Sequence, residues 1–158
     1  MTTPCPPAVA ELISVFETLT PDTLDRLTQR YAPQARFVDP FNEVVGRAAI
    51  RQVFAHMFDT LEAPRFEVRE ALASPEQAML IWAFHFTPSR WHPGRIHGSS
   101  HLRFDAQGQI VLHRDYWDAA AELYTHLPGI GAVLRALQRR IRAPDVVRDE
   151  KTPRSVRP

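Results

Sequence analysis

The sequence predicts an α+β fold in which helices pack against a curved, mainly antiparallel sheet. Helical periodicity dominates the chain up to about residue 60, and a two-residue alternation replaces it from Arg65 to Trp117. Helical patterns return after Trp117. This segregation of helices from strands is typical of α+β domains. A strongly twisted sheet curls, so helices packed against it leave a cone-shaped cavity.

The composition is that of a single soluble domain. The chain has 158 residues, of which 44% are hydrophobic and 23% are charged. A net charge of +1 gives no strong field that would indicate a nucleic-acid partner. The single cysteine, Cys5, excludes an intramolecular disulfide and fits a reducing compartment. No secretory signal is evident, and no apolar run approaches the ~20 residues of a membrane span. We therefore expect a cytoplasmic protein.

The first part of the chain contains three predicted helices. The first runs from about Ala8 to Thr18 with one apolar face. Thr20 and Pro21 begin the second as N-cap and first helical residue, and Ala32-Pro33 ends it. Gly46 opens the third, whose apolar face includes Phe58.

Between the second and third helices, Asp39 occupies a position that suits a catalytic carboxylate. Arg36 to Val38 has strand composition, and Pro40 stops the strand because proline has no N–H for the ladder. Asp39 therefore lies where a strand meets a loop, at the edge of the expected cavity. Alternatively, Asp39 accepts hydrogen bonds from loop N–H groups after Pro40.

Four longer strands follow. Arg65 to Ala73 alternates as a half-exposed strand, and Ala78 to Thr87 is so apolar that we expect it to be covered on both faces. Arg95 to Asp105 and Gln109 to Trp117 form a hairpin around Gly108, which can take positive φ.

Two helices complete the predicted domain. The chain is predicted to be helical from Asp118, which we expect to cap this helix, to Leu127, and a last helix runs from Ile130 to about Arg142. The single domain is therefore expected to span residues 8–142, with disordered ends at 1–7 and 143–158. We interpret the arginines of the last helix as a solvated face; a membrane surface or an anionic partner is the alternative.

Three motifs carry a resemblance to a known superfamily. FVDP, the following G-x-x-A-I-R helix and L-R-F-D-A-Q-G-Q-I…D-Y-W resemble the nuclear transport factor 2-like superfamily, in its SnoaL-like and ketosteroid-isomerase-like branch. The resemblance covers about Leu12 to Tyr124. It implies a cone-shaped α+β barrel with the sheet wrapped around the N-terminal helices, and a homodimer. This fold hosts isomerases, dehydratases, cyclases, epoxide hydrolases and binding domains.

The resemblance also implies roles for particular residues. Asp39 falls on the position of the general base of ketosteroid isomerases, which shuttles a proton next to a carbonyl. The acidic oxyanion partner of those enzymes falls on Ser100, a hydrogen-bond donor here. Their oxyanion tyrosine comes from the first helix, where this chain has Phe16.

The last strand offers a second candidate acid. His113, Asp115 and Trp117 alternate, so their side chains share one face. In SnoaL-like cyclases an acid and a histidine do comparable work, which makes Asp115 and His113 alternative catalytic residues, with Trp117 lining the pocket. Asp39 and Asp115 together would also suit a hydrolase that activates water. The structural alternative is a surface ion pair of Asp115.

Further candidates for substrate binding are His85, Tyr31 and Phe58. The register of the His85 strand decides whether this side chain lines the cavity or is a hydrogen-bonded core histidine. We expect no metal, because His97 and His101 lie ~13 Å apart along their strand, too far for one ion.

The sequence thus favours a cofactor-independent acid/base enzyme that isomerises, dehydrates or cyclises a hydrophobic carbonyl compound. The alternative is a non-catalytic ligand-binding or dimerisation domain. The discriminating feature is whether Asp39 and Asp115 reach one open pocket, or whether aromatic side chains such as Phe54, Phe58 and Trp82 fill the core.

Overall fold

The computed structural model describes residues 6–88, 94–122, 124–126 and 129–141. Residues 1–5 and 142–158, which include most of the two predicted disordered ends, lie outside the described residues. So do residues 89–93 of the predicted loop between the two central strands.

The architecture is α+β, as predicted. The helices are α1 (Pro7–Glu17), α2 (Leu24–Thr28), α3 (Arg47–Thr60), α4 (Ala119–Glu122) and α5 (Ile130–Ile141), with short 3-10 helices at Pro21–Thr23 and Tyr124–His126. The strands are β1 (Tyr31–Val38), β2 (Glu43–Val45), β3 (Arg65–Ala73), β4 (Gln77–His85), β5 (Arg95–Phe104) and β6 (Ile110–Tyr116).

The strands form one open sheet in the order β2-β1-β6-β5-β4-β3. Neighbouring strands are antiparallel except β1 and β6, which run parallel and place Phe37 beside His113. Gly108 takes a φ of +76° in the β5–β6 turn, as its position predicted. The parallel pairing matters for the site, because it brings the first strand of the chain, β1, next to the last strand, β6.

The core lies between the helices and the inner face of the sheet. Alternate residues of β4 point into it, and α1 and α3 supply the facing apolar side chains. The largest fully buried side chains are Tyr31, Leu27, Ile50, Leu80, Leu102 and Ile110. Burial on this scale is the main stabilising term of such a domain.

The predicted extent of the second helix was wrong. This helix ends at Thr28, and Tyr31 is the first residue of β1 instead of a helical core residue. The reason is tertiary: the N–H of Ile110 donates to the carbonyl of Arg30 at 2.8 Å, which begins the parallel pairing with β6. The register shifts between Tyr31 and Arg36, so Pro33 lies where the ladder is interrupted.

Two strand predictions also need correction. Strand β2 was not predicted; it is only three residues long and pairs with β1 at the sheet edge. Strand β4 is not covered on both faces, because Ile81 is 40% exposed on the side away from the core. An apolar run can keep one face open, since a protein surface retains much apolar area.

The segment after β6 was predicted as one helix from Asp118 to Leu127. The structure describes α4 and a 3-10 helix at Tyr124–His126 within it, and residues 123 and 127 lie outside the described residues. Asp118 caps α4 as expected, since its Oδ1 accepts the N–H of Ala121 at 2.9 Å. Within the described ranges, no helix is long and apolar enough to cross a membrane.

Candidate functional site

A cavity of about 310 Å³ lies between α3 and the inner face of the sheet. Its wall is mostly aromatic and aliphatic. The lining residues are Phe37, Asp39, Phe41, Asn42, Val53, Phe54, His56, Met57, Thr60, Leu61, Phe66, Trp82, Phe84, Phe86, Ile96, Asp115 and Trp117. Both candidate carboxylates therefore reach one open pocket, although Phe54 and Trp82 also form part of its wall. The volume is in the range of small-molecule sites.

Asp115 is held in place by hydrogen bonds from neighbouring strand residues. Strand β6 aims His113, Asp115 and Trp117 to one side, as the alternation predicted. The Nε2 atom of His113 lies 2.8 Å from Oδ1 of Asp115, and the hydroxyl of Ser100 donates to the same oxygen. Among the described residues, Oδ2 of Asp115 has no hydrogen-bond partner. The side chain is 14% exposed, so one oxygen is held and the carboxylate still borders the cavity.

His113 connects this carboxylate to Tyr31. The histidine is 2% exposed, and its Nδ1 lies 2.7 Å from the hydroxyl of Tyr31. An ionised Asp115 can only accept, so Nε2 of His113 carries the proton that faces it. In the neutral ring Nδ1 is then the acceptor, and Tyr31 donates to it. Burial raises the pKa of Tyr31 well above its ordinary value of 10.0, and the charge of Asp115 raises it further, which keeps the hydroxyl protonated.

Ser100 continues the chain of hydrogen bonds to Trp82. Ser100 lies opposite Asp115 in the β5–β6 ladder, and its hydroxyl accepts the indole N–H of Trp82 at 2.8 Å. Gly98 faces Trp82 across β4 and β5, and a Cβ at this position would lie 2.4 Å from the indole. The missing side chain of Gly98 therefore makes room for the ring that orients Ser100.

Asp39 lines the same cavity but has a different environment. Its Oδ1 accepts the backbone N–H groups of Phe41 and Asn42 at 2.7 and 2.6 Å. The side-chain amide of Asn42 also donates, to Oδ2 at 2.9 Å and to Oδ1 at 3.1 Å. These are the loop hydrogen bonds that the sequence offered as the alternative to catalysis. Asp39 is thus a structural acceptor that also borders the pocket.

The other predicted substrate-binding residues lie outside the cavity lining. His85 is on the opposite face of β4, where its Nε2 lies 2.7 Å from the carboxylate of Glu67, and this hydrogen bond lowers the pKa of Glu67. Phe58 packs against the core. Tyr31 lies behind His113 at 0% exposure, and Ser100 lines only a small void of about 20 Å³ beyond Asp115.

Sequence reasoning missed several lining residues on α3. His56 and Thr60 border the cavity together with Val53 and Met57. Their spacing is that of one helical face, which was the available signal. The Thr60 hydroxyl is bonded to the carbonyl of His56 at 2.7 Å, so it is already engaged. Asn42 was also missed, because an amide that supports a turn aspartate has no periodic signature.

The described residues contain no group of three or more His, Cys, Asp or Glu side chains that converge as metal ligands.

Residues 12–113 match the SnoaL-like domain family, which is most of the folded chain. The chain belongs to the SnoaL-like family. This membership confirms the superfamily that the FVDP and G-Q-I motifs indicated, and the fold agrees with it. No curated protein sequence matches this member of the family.

Solved structures of the nuclear transport factor 2-like fold are similar to this SnoaL-like chain. One from Burkholderia pseudomallei, of unknown function, has a TM-score of 0.62 at 18% identity and covers 72% of this chain and 90% of its own. A protein of ketosteroid isomerase-like fold from Catenulispora acidiphila, in complex with trimethylamine, has a TM-score of 0.60 at 16% identity, with 77% and 92% covered. TerC, co-crystallised with polyporic acid, has a TM-score of 0.60 at 17% identity, with 72% and 91% covered. At these identities the likeness shows the fold.

Proposed function

We propose that this SnoaL-like protein is a cofactor-independent acid/base enzyme that moves a proton next to the carbonyl of a hydrophobic molecule. The observation that carries the proposal is the placement of Asp115. Its Oδ1 is held by His113 and Ser100, its Oδ2 has no partner among the described residues, and the carboxylate borders an apolar cavity. A positioned base in a water-poor pocket is what α-proton transfer requires.

The neighbouring residues have distinct roles in this proposal. Asp115 takes the proton, and His113 orients and stabilises the carboxylate through Nε2. Trp117 and His56 line the cavity, and the structure gives neither ring N–H a hydrogen-bond partner among the described residues. Either ring is suited to donate to the substrate oxygen as negative charge develops there. Asp39, which the sequence placed first as base, is already bonded by its own loop and is a weaker candidate.

The test is exchange of the α-hydrogens of ketones in heavy water. Phenylacetone and cyclohexanone are incubated with the protein, and deuterium incorporation is followed by NMR. We expect wild-type protein to accelerate exchange of at least one ketone, and Asp115→Asn to lower that rate by about 10²–10⁴-fold, the usual contribution of a positioned base.

Asp118→Asn is the matched control, because it makes the same change two residues beyond β6, at a side chain outside the lining of this cavity. Asparagine also caps helices well, so α4 is retained. Exchange that is equally fast in wild type and Asp115→Asn would reject Asp115 as the base. Loss of exchange in Asp39→Asn alone would return that role to Asp39.

A second candidate function is ligand binding without catalysis. The observation that favours it is that the protein itself already hydrogen-bonds both carboxylates. Binding of a ketone without any exchange above buffer would support this alternative. Trimethylamine and polyporic acid, the molecules named with two structural relatives, differ in chemistry and do not decide between ligand classes.

A further inference from the structure

The outer part of the cavity combines a carboxylate with exposed aromatic rings. Phe41 follows the Asp39 turn directly and is 53% exposed. Its ring lies 5.3 Å from that of Trp117, at an interplanar angle of 77°. Phe41, Trp117 and Asp39 all line the cavity. Phe41 also lies against Tyr124, with ring centroids 6.3 Å apart, so aromatic contacts hold its ring at the opening beside the Asp39 carboxylate.

The charges around the cavity are one-sided. Asp39 and Asp115 both line it, whereas no lysine or arginine does so among the residues that the structure describes. His56 is the basic side chain in that lining, and it is exposed to solvent. Carboxylates beside an apolar space lose hydration, and a ligand of opposite charge compensates for that loss.

We propose that the cavity binds a hydrophobic molecule that carries a protonated amine, with the ammonium group at Asp39 and against the outer surface of the Phe41–Trp117 ring pair. The ligand would have an amine end at Asp39 and a carbonyl end at Asp115. The carbonyl end rests on the proposed function. Binding of the amine end does not need turnover, because charge selection is a property of binding.

The local geometry supports an ammonium at this position. The loop donors fix the Asp39 carboxylate, so little side-chain freedom is lost when a cation binds. Aromatic faces attract cations through their quadrupole, and more strongly where water is partly excluded. Within the lining of this cavity an anionic ligand meets two carboxylates and, among the described residues, no arginine or lysine. Arg114 lines the neighbouring opening, which Asp39 and Asp115 also border, and not the cavity. The cavity lining therefore disfavours an anion.

The test uses three molecules with one carbon skeleton and different charge. Phenethylamine, phenethyl alcohol and phenylacetate are titrated into the full chain at neutral pH, and binding is followed by NMR chemical shifts. We expect the amine to bind about tenfold tighter than the alcohol, as one cation site of this kind supplies, and the acid to bind most weakly. Equal binding of amine and alcohol, or tightest binding of the acid, would overturn the proposal.

Variants locate the charge. Asp39→Asn is expected to reduce the preference for the amine over the alcohol to about twofold or less while alcohol binding is retained. Asp59→Asn, at an exposed residue of α3 outside the cavity lining, is expected to keep the preference. Phe41→Leu removes one ring at an exposed position and is expected to lower the preference about threefold; it also tests the proposal if Asp39→Asn does not fold. A preference lost in Asp115→Asn but kept in Asp39→Asn would overturn the placement of the ammonium.

The two proposals fail separately. Amine-selective binding without ketone exchange would reject the catalytic proposal and keep this one. Ketone exchange without charge selectivity would support the catalytic proposal and reject the proposal that the ligand carries an amine.

Discussion

Among single residues, His113 depends on Tyr31 for one of its two ring nitrogens. Both side chains are buried, and the hydroxyl of Tyr31 lies 2.7 Å from Nδ1. A buried acceptor without its donor costs about 1–3 kcal/mol, so Tyr31→Phe should destabilise the protein by that amount below pH 9. Tyr31 thereby fixes the ring that holds Asp115, without touching the cavity.

The raised pKa of Tyr31 predicts a loss of stability at alkaline pH. Above pH 10.0 the unfolded chain releases the tyrosine proton, whereas the folded chain keeps it. The contribution is fully present below that pH and is lost at up to about 1.4 kcal/mol per pH unit as the pH rises towards the folded pKa. Urea unfolding of wild type and Tyr31→Phe at pH 9, 10 and 11 measures this loss of stability. Tyr31→Phe should lack the part of the loss that Tyr31 causes.

Tyr116→Phe is the control for that experiment, because Tyr116 is 50% exposed and points away from the core. This variant should keep the alkaline slope of wild type. An equal slope in Tyr31→Phe and wild type would show that Tyr31 does not cause it.

The sequence grouped several residues of the candidate site correctly in space, because they alternate on one strand. His113, Asp115 and Trp117 were grouped by parity alone, and Asp39 by the proline that follows it. The bond between Tyr31 and His113 was not predictable, since it joins residues 82 positions apart. It depends on the parallel pairing of β1 with β6, which no local pattern encodes.

Among the secondary-structure elements, strands β4 and β5 depend on one glycine for their close approach at the site. Gly98→Ala would bring a methyl group to 2.4 Å from Trp82, so the indole must move away from Ser100. Overpacking of this kind costs about 1–3 kcal/mol. We expect that loss in urea unfolding, together with a shift of the Trp82 indole N–H resonance.

Ser99→Ala is the matched control, because it changes the neighbouring residue on the other face of β5. It should leave the indole resonance in place and change the free energy of unfolding by less than about 0.5 kcal/mol. A Gly98→Ala variant with wild-type stability and an unshifted indole would contradict the close contact.

The predicted strands were accurate where alternation was strong, as for β3, whose bounds match Arg65–Ala73. The predictions were less accurate where a tertiary partner decides the structure. Tyr31 has helical spacing from Leu27, yet β6 draws it into the sheet. Strand β2 is too short to carry a period, so it exists because β1 offers an edge.

For the whole molecule, helix α5 is expected to contribute little to stability. It packs mainly against the short Tyr124–His126 turn, and Val133, Leu137 and Ile141 are more than half exposed. Removal of residues 129–158 should therefore lower the free energy of unfolding by less than about 1 kcal/mol. Urea unfolding of the full and shortened chains measures this difference.

Urea unfolding of the full and shortened chains is repeated at several protein concentrations, to test whether α5 is covered by another copy. The prediction is contradicted if the full chain is more stable than the shortened chain by more than about 2 kcal/mol and this difference increases with protein concentration. That result would mean that a second copy of the chain covers the apolar face of α5.

The parallel pairing of β1 with β6 also sets an order of events as the chain folds. Strands β3 to β6 pair with sequence neighbours through short connections, whereas β1 and β6 are separated by about half of the chain. Closing so long a loop is slow compared with forming a hairpin. The sheet can therefore form early, while Tyr31 reaches His113 only when β1 arrives. The hydrogen bond between Tyr31 and His113 should therefore form later than the strand content during refolding, so a newly made chain is compact before the support of Asp115 is complete.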